Sequence, residues 1–255
     1  MKLVARIRAA VLRRRYKWFH RRHAVVDSPS GMVSFTFDDF LASAADTAAP
    51  MLVEHGWRGT FYLSPGLLTS GESVGEVCSQ ADVERLHQEG HEIGNHTYSH
   101  KECTNVSKSV LLDEFNRSQQ HLTQFTGARH FSFPCGEYDT RALTFFGRRF
   151  NTLRTVDPGV NSGTIDLNRL KANPIYESLD PHKLQALLKQ TRDERGWLIL
   201  YTHDVCATPS KFGCTVQRFA SVISAVKEAG LAVHTVGDAY RSSMLARSPK
   251  QHKGR

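Results

Sequence analysis

Nowhere in the sequence do about twenty apolar residues run together, so no segment reads as a membrane-spanning helix. The start also lacks the pattern of a secretory signal. Charge breaks its apolar run, and no small-residue cleavage site follows an apolar core. Cysteine is scarce and unpatterned: Cys78, Cys103, Cys135, Cys206 and Cys214 are odd in number and contain no CxxC. With no export signal, reduced thiols in a cytoplasmic protein are the expectation, and a Cys206–Cys214 disulfide is not. Internal repeats and low-complexity stretches are also missing, and nothing in the composition suggests disorder. What is left is a globular chain of 255 residues, 40% hydrophobic, which is enough for one sizeable core. Lengths near this often belong to a single α/β barrel.

The net charge of +8 is unevenly placed. Residues 1–23 carry Lys2, Arg6, Arg8, Arg13, Arg14, Arg15, Lys17, Arg21 and Arg22 with no acid, and the tail adds Arg247, Lys250, Lys253 and Arg255. Between these ends the charge is close to balanced, so the basic character belongs to the termini. The expected plan is a basic extension over 1–30, a catalytic domain over 31–242 and a basic tail over 243–255. Trp18 and Phe19 beside the arginines suit contact with an inner-membrane surface. A solvated, partly ordered extension is the plainer reading. Charge alone supports no specific nucleic-acid partner.

From Gly31 apolar runs alternate with amphipathic stretches. Met32–Phe37, Thr60–Leu63, His130–Phe133, Leu153–Val156, Trp197–Tyr201 and Leu231–Val236 read as strands, with Glu92–Asn95 leading into another. Leu41–His55, Ser79–Glu89, Ser107–Phe125, Pro181–Arg195 and Val216–Ala229 read as helices, and Asp139 opens one more. This order argues for βα units and a mainly parallel sheet covered on both faces. Periodicity does not choose between a barrel and an open sheet.

Four strand ends carry chemistry, and ligands of α/β folds bind at that edge. Asp38 and Asp39 follow the first strand. Adjacent like charges suit a cation, one carboxylate binding it and the other left as a base; a helix N-cap is the alternative. His96 and His100, four apart, would share one side of a helical turn and could bind one metal, or be surface histidines. Pro134-Cys135-Gly136 is a tight turn able to aim N–H groups at an oxyanion, or an ordinary βα turn. His203 ends the strand through Tyr201 and could protonate a leaving group, or be structural.

Taken in order, Thr36-Phe37-Asp38-Asp39, Gly94-Asn95-His96-Thr97 with His100, Pro134-Cys135-Gly136, and Leu200 with His203 resemble the polysaccharide deacetylases, also described as the NodB-homology or carbohydrate esterase 4 group. The resemblance spans roughly residues 31 to 240. It implies a distorted (β/α) barrel of about seven strands, and a hydrolase that removes acetyl groups from N-acetylated sugars of a glycan or envelope precursor. It implies Asp38 as general base and Asp39, His96 and His100 as metal ligands. Pro134, Cys135 and Gly136 would bind the oxyanion or substrate, and His203 would be general acid. One divalent ion is implied, zinc first, with cobalt, nickel or iron also suited to such ligands.

The sequence departs from the family pattern in two places. Ser132 stands where many members have an arginine that orients the base, with Arg129 and Arg169 as candidate substitutes. No tryptophan accompanies Asp157, the candidate support for the acid histidine. A non-sugar amide substrate, iron-dependent oxygen chemistry, and a binding protein with an impaired barrel are the alternatives.

Overall fold

The computed structural model describes residues 21–70, 75–125 and 129–245. The basic N-terminal segment with its expected membrane contact, and the basic tail from 246, lie outside the described residues. Among the described residues no helix is long and apolar enough to cross a membrane.

Strand β2 (Met32–Phe37) occupies the centre of the main sheet, between β3 (Thr60–Leu63) and β9 (Trp197–Thr202). Beyond β3 follow β4 (Glu92–Asn95), β5 (His130–Ser132) and β6 (Thr152–Arg154); beyond β9 lies β8 (Asn173–Pro174). Short β10 (Ala232–Val233) pairs with the start of β2, and every pairing in this sheet is parallel. Leu170 N–H donates to the Leu153 carbonyl, Leu153 N–H to the Leu167 carbonyl, and Thr155 N–H to the Leu170 carbonyl. The segment entering β8 therefore bridges from β6 toward β9, giving the distorted (β/α) barrel.

Period-two alternation explains both layers. Val33, Phe35, Phe37, Phe61, Leu63, Ile93, Leu198 and Leu200 form the outer set and pack in the largest core cluster. Phe131 and Leu153 do the same against Phe145, Phe146 and Phe150. The intervening residues turn inward and many are polar: Ser34, Thr36, Thr60, Tyr62, His130, Ser132, Thr152 and Arg154 are all buried. They find partners on neighbouring strands. Trp197 Nε1 donates to Ser34 Oγ at 2.9 Å, and Thr36 Oγ1 to the Leu200 carbonyl at 3.0 Å. Gly94 has no side chain because the Tyr62 ring fills that space; a Cβ there would stand 2.5 Å from it.

The helices α3 (Gln80–Gln88), α4 (Lys108–Leu122), α5 (Thr140–Gly147), α6 (Pro181–Asp193) and α7 (Val216–Glu228) follow α1 (Ala49–Val53) and α2 (Leu67–Ser70). Ser79, Ser107, Asp139, Asp180 and Thr215 cap α3 to α7, each accepting an orphan N–H of the first turn.

Three elements differ from expectation. Leu41–His55 is not one helix: a π-helical turn, Ala44–Ala48, precedes α1. Pro50 has no N–H to offer the carbonyl four residues back, and the ladder widens there. Val236 opens helix α8 (Val236–Leu245) instead of ending a strand. Its first two N–H groups go to the distant Thr60 Oγ1 (2.9 Å) and Glu92 Oε2 (3.0 Å), and the third, of Asp238, to the local cap Thr235 Oγ1 (3.1 Å). Residues 23–26, read as extension, form β1 (His23–Val26), antiparallel to β7 (Gly163–Asp166).

Burial also sets an acid limit on the fold. His91 Nδ1 accepts the Gly59 N–H at 3.1 Å, so the ring is neutral, and its enclosed Nε2 has no partner. Burial, with help from Arg58 and Arg85, lowers its pKa to about 4. A base depressed in the fold but ordinary (about 6.5) when unfolded contributes stability at neutral pH, which is lost as pH falls from about 6.5 towards 4. His91→Asn can keep the acceptor without titrating. Urea midpoints should show wild type losing about 2 kcal/mol more than this variant between pH 7 and pH 5. The buried Glu92, whose pKa burial raises to about 7, has the opposite sign but cancels in the difference. Equal losses would show that His91 is not the source.

Candidate active site

The four strand ends meet at one mouth of the barrel. After β2 the chain turns sharply, with Asp39 at φ 64° and Phe40 at φ 59°, and the next helical turn starts only at Ala44. Neither aspartate is a helix cap. Asp38 is instead anchored through its N–H to the Thr202 carbonyl of β9 at 3.0 Å.

One ligand atom from each of Asp39, His96 and His100 lies within 4.8 Å of the others. Asp39 Oδ1 stands 3.0 Å from His100 Nε2 and 3.6 Å from His96 Nε2. That oxygen is fully enclosed and receives no hydrogen bond. An unsatisfied buried carboxylate oxygen facing two imidazole nitrogens fits a divalent cation, and this donor set is a usual one for zinc.

His96 is prepared for the role. Its N–H extends the ladder to the Leu63 carbonyl at 3.0 Å, and its Nδ1 lies 2.8 Å from the Ser132 carbonyl. Donation from Nδ1 leaves Nε2 as the free ligand atom. Burial lowers its pKa to about 4, so the ring is neutral at neutral pH. Burial pushes Asp39 up, but the His100 and His96 rings outweigh it and bring its pKa to about 2. For His100, burial acts downward and Asp39 more strongly upward, so its pKa is raised. The helical turn expected from the spacing of the two histidines is not there. Residues 96–100 are a loop, with Thr97 at φ 65° and His100 at φ 56°.

Asp38, 4% exposed, meets a residue the sequence reading passed over. Arg154 Nη2 reaches Asp38 Oδ1 at 2.6 Å and also contacts Oδ2 and the Ser132 hydroxyl. The guanidinium lies between the rings of Tyr201 (4.9 Å) and Tyr62 (5.3 Å). Burial alone would raise the Asp38 pKa; Arg154 chiefly, then His96 and His203, pull it below the ordinary carboxylate value. Arg154 is the register partner of Ser132 on the neighbouring strand, so both side chains project from the same face.

Neither suggested substitute is at this place. Arg129 is exposed before β5, and Arg169 pairs with Asp157 at 2.7 Å and with the Tyr138 hydroxyl at 3.0 Å. Asp157 is thereby committed to Arg169 and Tyr138 rather than to the acid histidine. His203 Nδ1 lies instead 3.2 Å from the Phe212 carbonyl, and the Phe212 ring packs 5.4 Å from the imidazole.

The Pro134–Gly136 turn has two successive left-handed residues, Cys135 at φ 57° and Gly136 at φ 67°. Gly136 N–H closes it onto the Phe133 carbonyl at 3.1 Å. A Cβ on Gly136 would come within 2.5 Å of Val156, so this glycine answers both the backbone angle and the close approach.

The sequence model of the family described as polysaccharide deacetylase matches residues 26–147, a stretch that includes both aspartates, both histidines and the turn. Over this stretch, just under half of its length, the chain is similar to the polysaccharide deacetylases. Among similar proteins is a chitin deacetylase of Arthroderma benhamiae, 24% identical over 217 residues, covering 82% of this chain and 52% of that one. The chain thus spans about half of that relative's length. A chitooligosaccharide deacetylase of Azorhizobium caulinodans is 24% identical over 184 residues, 68% of this chain and 74% of that one. In fold, the chitin deacetylase of Colletotrichum lindemuthianum aligns with a TM-score of 0.60 at 17% identity, over 84% of this chain and 89% of that chain. A mutant of a family pseudoenzyme with restored enzymatic activity also aligns, with a TM-score of 0.57 at 16% identity, over 85% of this chain and 70% of that chain.

Proposed function

We propose that this protein is a polysaccharide deacetylase, a working hydrolase that removes N-linked acetyl groups from N-acetylated sugars. The observation that carries the reading is the ionised Asp38 carboxylate held by Arg154 next to the convergent Asp39, His96 and His100. A divalent ion held by those three residues, with zinc the best fit, would supply Lewis acidity to polarise the amide carbonyl and acidify a water.

The protein's own groups do the rest. Asp38 takes the proton of the attacking water, and Arg154 fixes its orientation. Burial keeps both away from competing solvent. The left-handed turn at Cys135 presents its N–H to the oxyanion, with the thiol incidental. The Phe212 carbonyl accepts the Nδ1–H of His203, leaving Nε2 to pass a proton to the departing sugar amine.

The test is acetate released from N-acetylglucosamine oligomers by zinc-loaded protein. Acetate from wild type, strongly reduced in His203→Ala, is the expected result. Bound metal without acetate release would move the substrate to another amide.

A further inference from the structure

Two of the three metal-binding side chains sit on a five-residue loop that belongs to no helix or strand. Two of its residues, Thr97 and His100, hold left-handed backbone angles without being glycine. Such angles persist only where the surroundings over-determine them. Gly66 N–H donates to the Tyr98 carbonyl at 2.8 Å and Lys101 N–H to Thr97 Oγ1 at 3.0 Å, but most of the side-chain contacts come from one face of α4. Glu114, Arg117, Ser118 and His121 recur at helical spacing, and all four meet residues 95–99. Glu114 Oε2 accepts the N–H groups of Tyr98 and Ser99, each at 2.9 Å, and its Oε1 accepts the Ser99 hydroxyl at 2.7 Å. Ser118 Oγ receives Asn95 Nδ2 at 2.8 Å, and Asn95 Oδ1 in turn receives Thr97 N–H at 3.0 Å. The Arg117 guanidinium lies 3.9 Å from the Tyr98 ring centroid, with the His121 ring at 5.7 Å.

We propose that this face of α4 is the mould of the metal site, and that Glu114 is the positioning residue for His100. The proposal rests on the reading of Asp39, His96 and His100 as metal ligands. Glu114 is 6% exposed, and its three hydrogen bonds to the loop all go to the two residues immediately before His100. A carboxylate gripping two successive N–H groups fixes both peptide planes and, through them, the direction in which His100 leaves the chain. Without that grip the loop relaxes toward ordinary angles and His100 moves off Asp39. His96 does not share this dependence, because the Leu63 and Ser132 carbonyls hold it from the barrel side. The effect is therefore specific to one ligand.

Cobalt and zinc affinities of the full chain, measured by chelator competition, test this directly, with the cobalt visible spectrum as the second readout. Partners that orient metal-binding histidines typically contribute about 10–100-fold in affinity. Glu114→Ala should weaken binding by that much and give a cobalt spectrum like that of His100→Ala. Glu114→Gln should restore affinity, since its amide oxygen can accept both N–H groups while its NH2 donates to Ser99 Oγ. Unchanged affinity in Glu114→Ala, or no rescue by glutamine, would overturn the proposal. If the alanine variant does not fold, Ser118→Ala removes the other hydrogen-bonding anchor on α4, and wild-type affinity there would overturn it equally. Failure of the wild type to bind either metal would instead sink the reading of the site itself.

Discussion

Arg154→Met should abolish most turnover and destabilise the fold together. Arg154 and Asp38 are a buried ion pair, 1% and 4% exposed. Removing one member strands the other charge without solvent, which commonly costs about 3–5 kcal/mol. The Asp38 pKa then rises, because burial is no longer opposed by its strongest partner. A base that is partly protonated and freed from its clamp should lower kcat by about 10²-fold or more. Urea midpoints and acetate release check the two effects separately. A further arm distinguishes placement from charge. Because Ser132 and Arg154 are register partners, Ser132→Arg combined with Arg154→Ser returns a guanidinium to the same carboxylate from the next strand. Turnover should recover partially over Arg154→Ser alone. Full activity in Arg154→Met would show that Asp38 is oriented by something else.

Asp38→Asn should leave metal binding intact and remove about 10²–10⁴ of the rate, the usual contribution of a positioned general base. The amide fills the same space and can still meet Arg154, but it cannot take a proton from water. Asp39→Asn, one residue away, should fail earlier and differently. It removes the only anionic ligand beside His96 and His100, so metal affinity falls before any catalytic step is reached. The adjacent aspartates thus predict two phenotypes: bound but inert, and unbound. Comparable metal loss in both variants would merge their roles and remove Asp38 as the base.

How far the site could be read from sequence depended on how local its determinants are. Asp38, Asp39, His96, His100 and His203 sit at strand ends that hydrophobic runs and following breaks mark, and the structure brings them to one mouth. Arg154 was hidden for a physical reason. Leu153–Val156 reads as a strand, but nothing local says that residue 154 pairs with residue 132, and only that register puts its side chain on Asp38. Arg169 and Asp157 were attractive by position, yet they satisfy each other with Tyr138. The Phe212 carbonyl behind His203 is a backbone group, which no side-chain pattern can announce. The start of α8 is only partly local: Thr235 caps Asp238, but Thr60 and Glu92, from strands far back in the chain, take the first two N–H groups. Spacing also misled over His96 and His100, where a left-handed loop gripped by Glu114, rather than a helical turn, brings them together.

The most direct test of the central claim is metal content after equilibrium dialysis against zinc, compared among wild type, Asp38→Asn, Asp39→Asn and His100→Ala. One bound ion per chain in wild type and Asp38→Asn, with loss in Asp39→Asn and His100→Ala, is the predicted result. Equal binding in all four proteins, or none in the wild type, would contradict the assignment of Asp39, His96 and His100 as the metal centre.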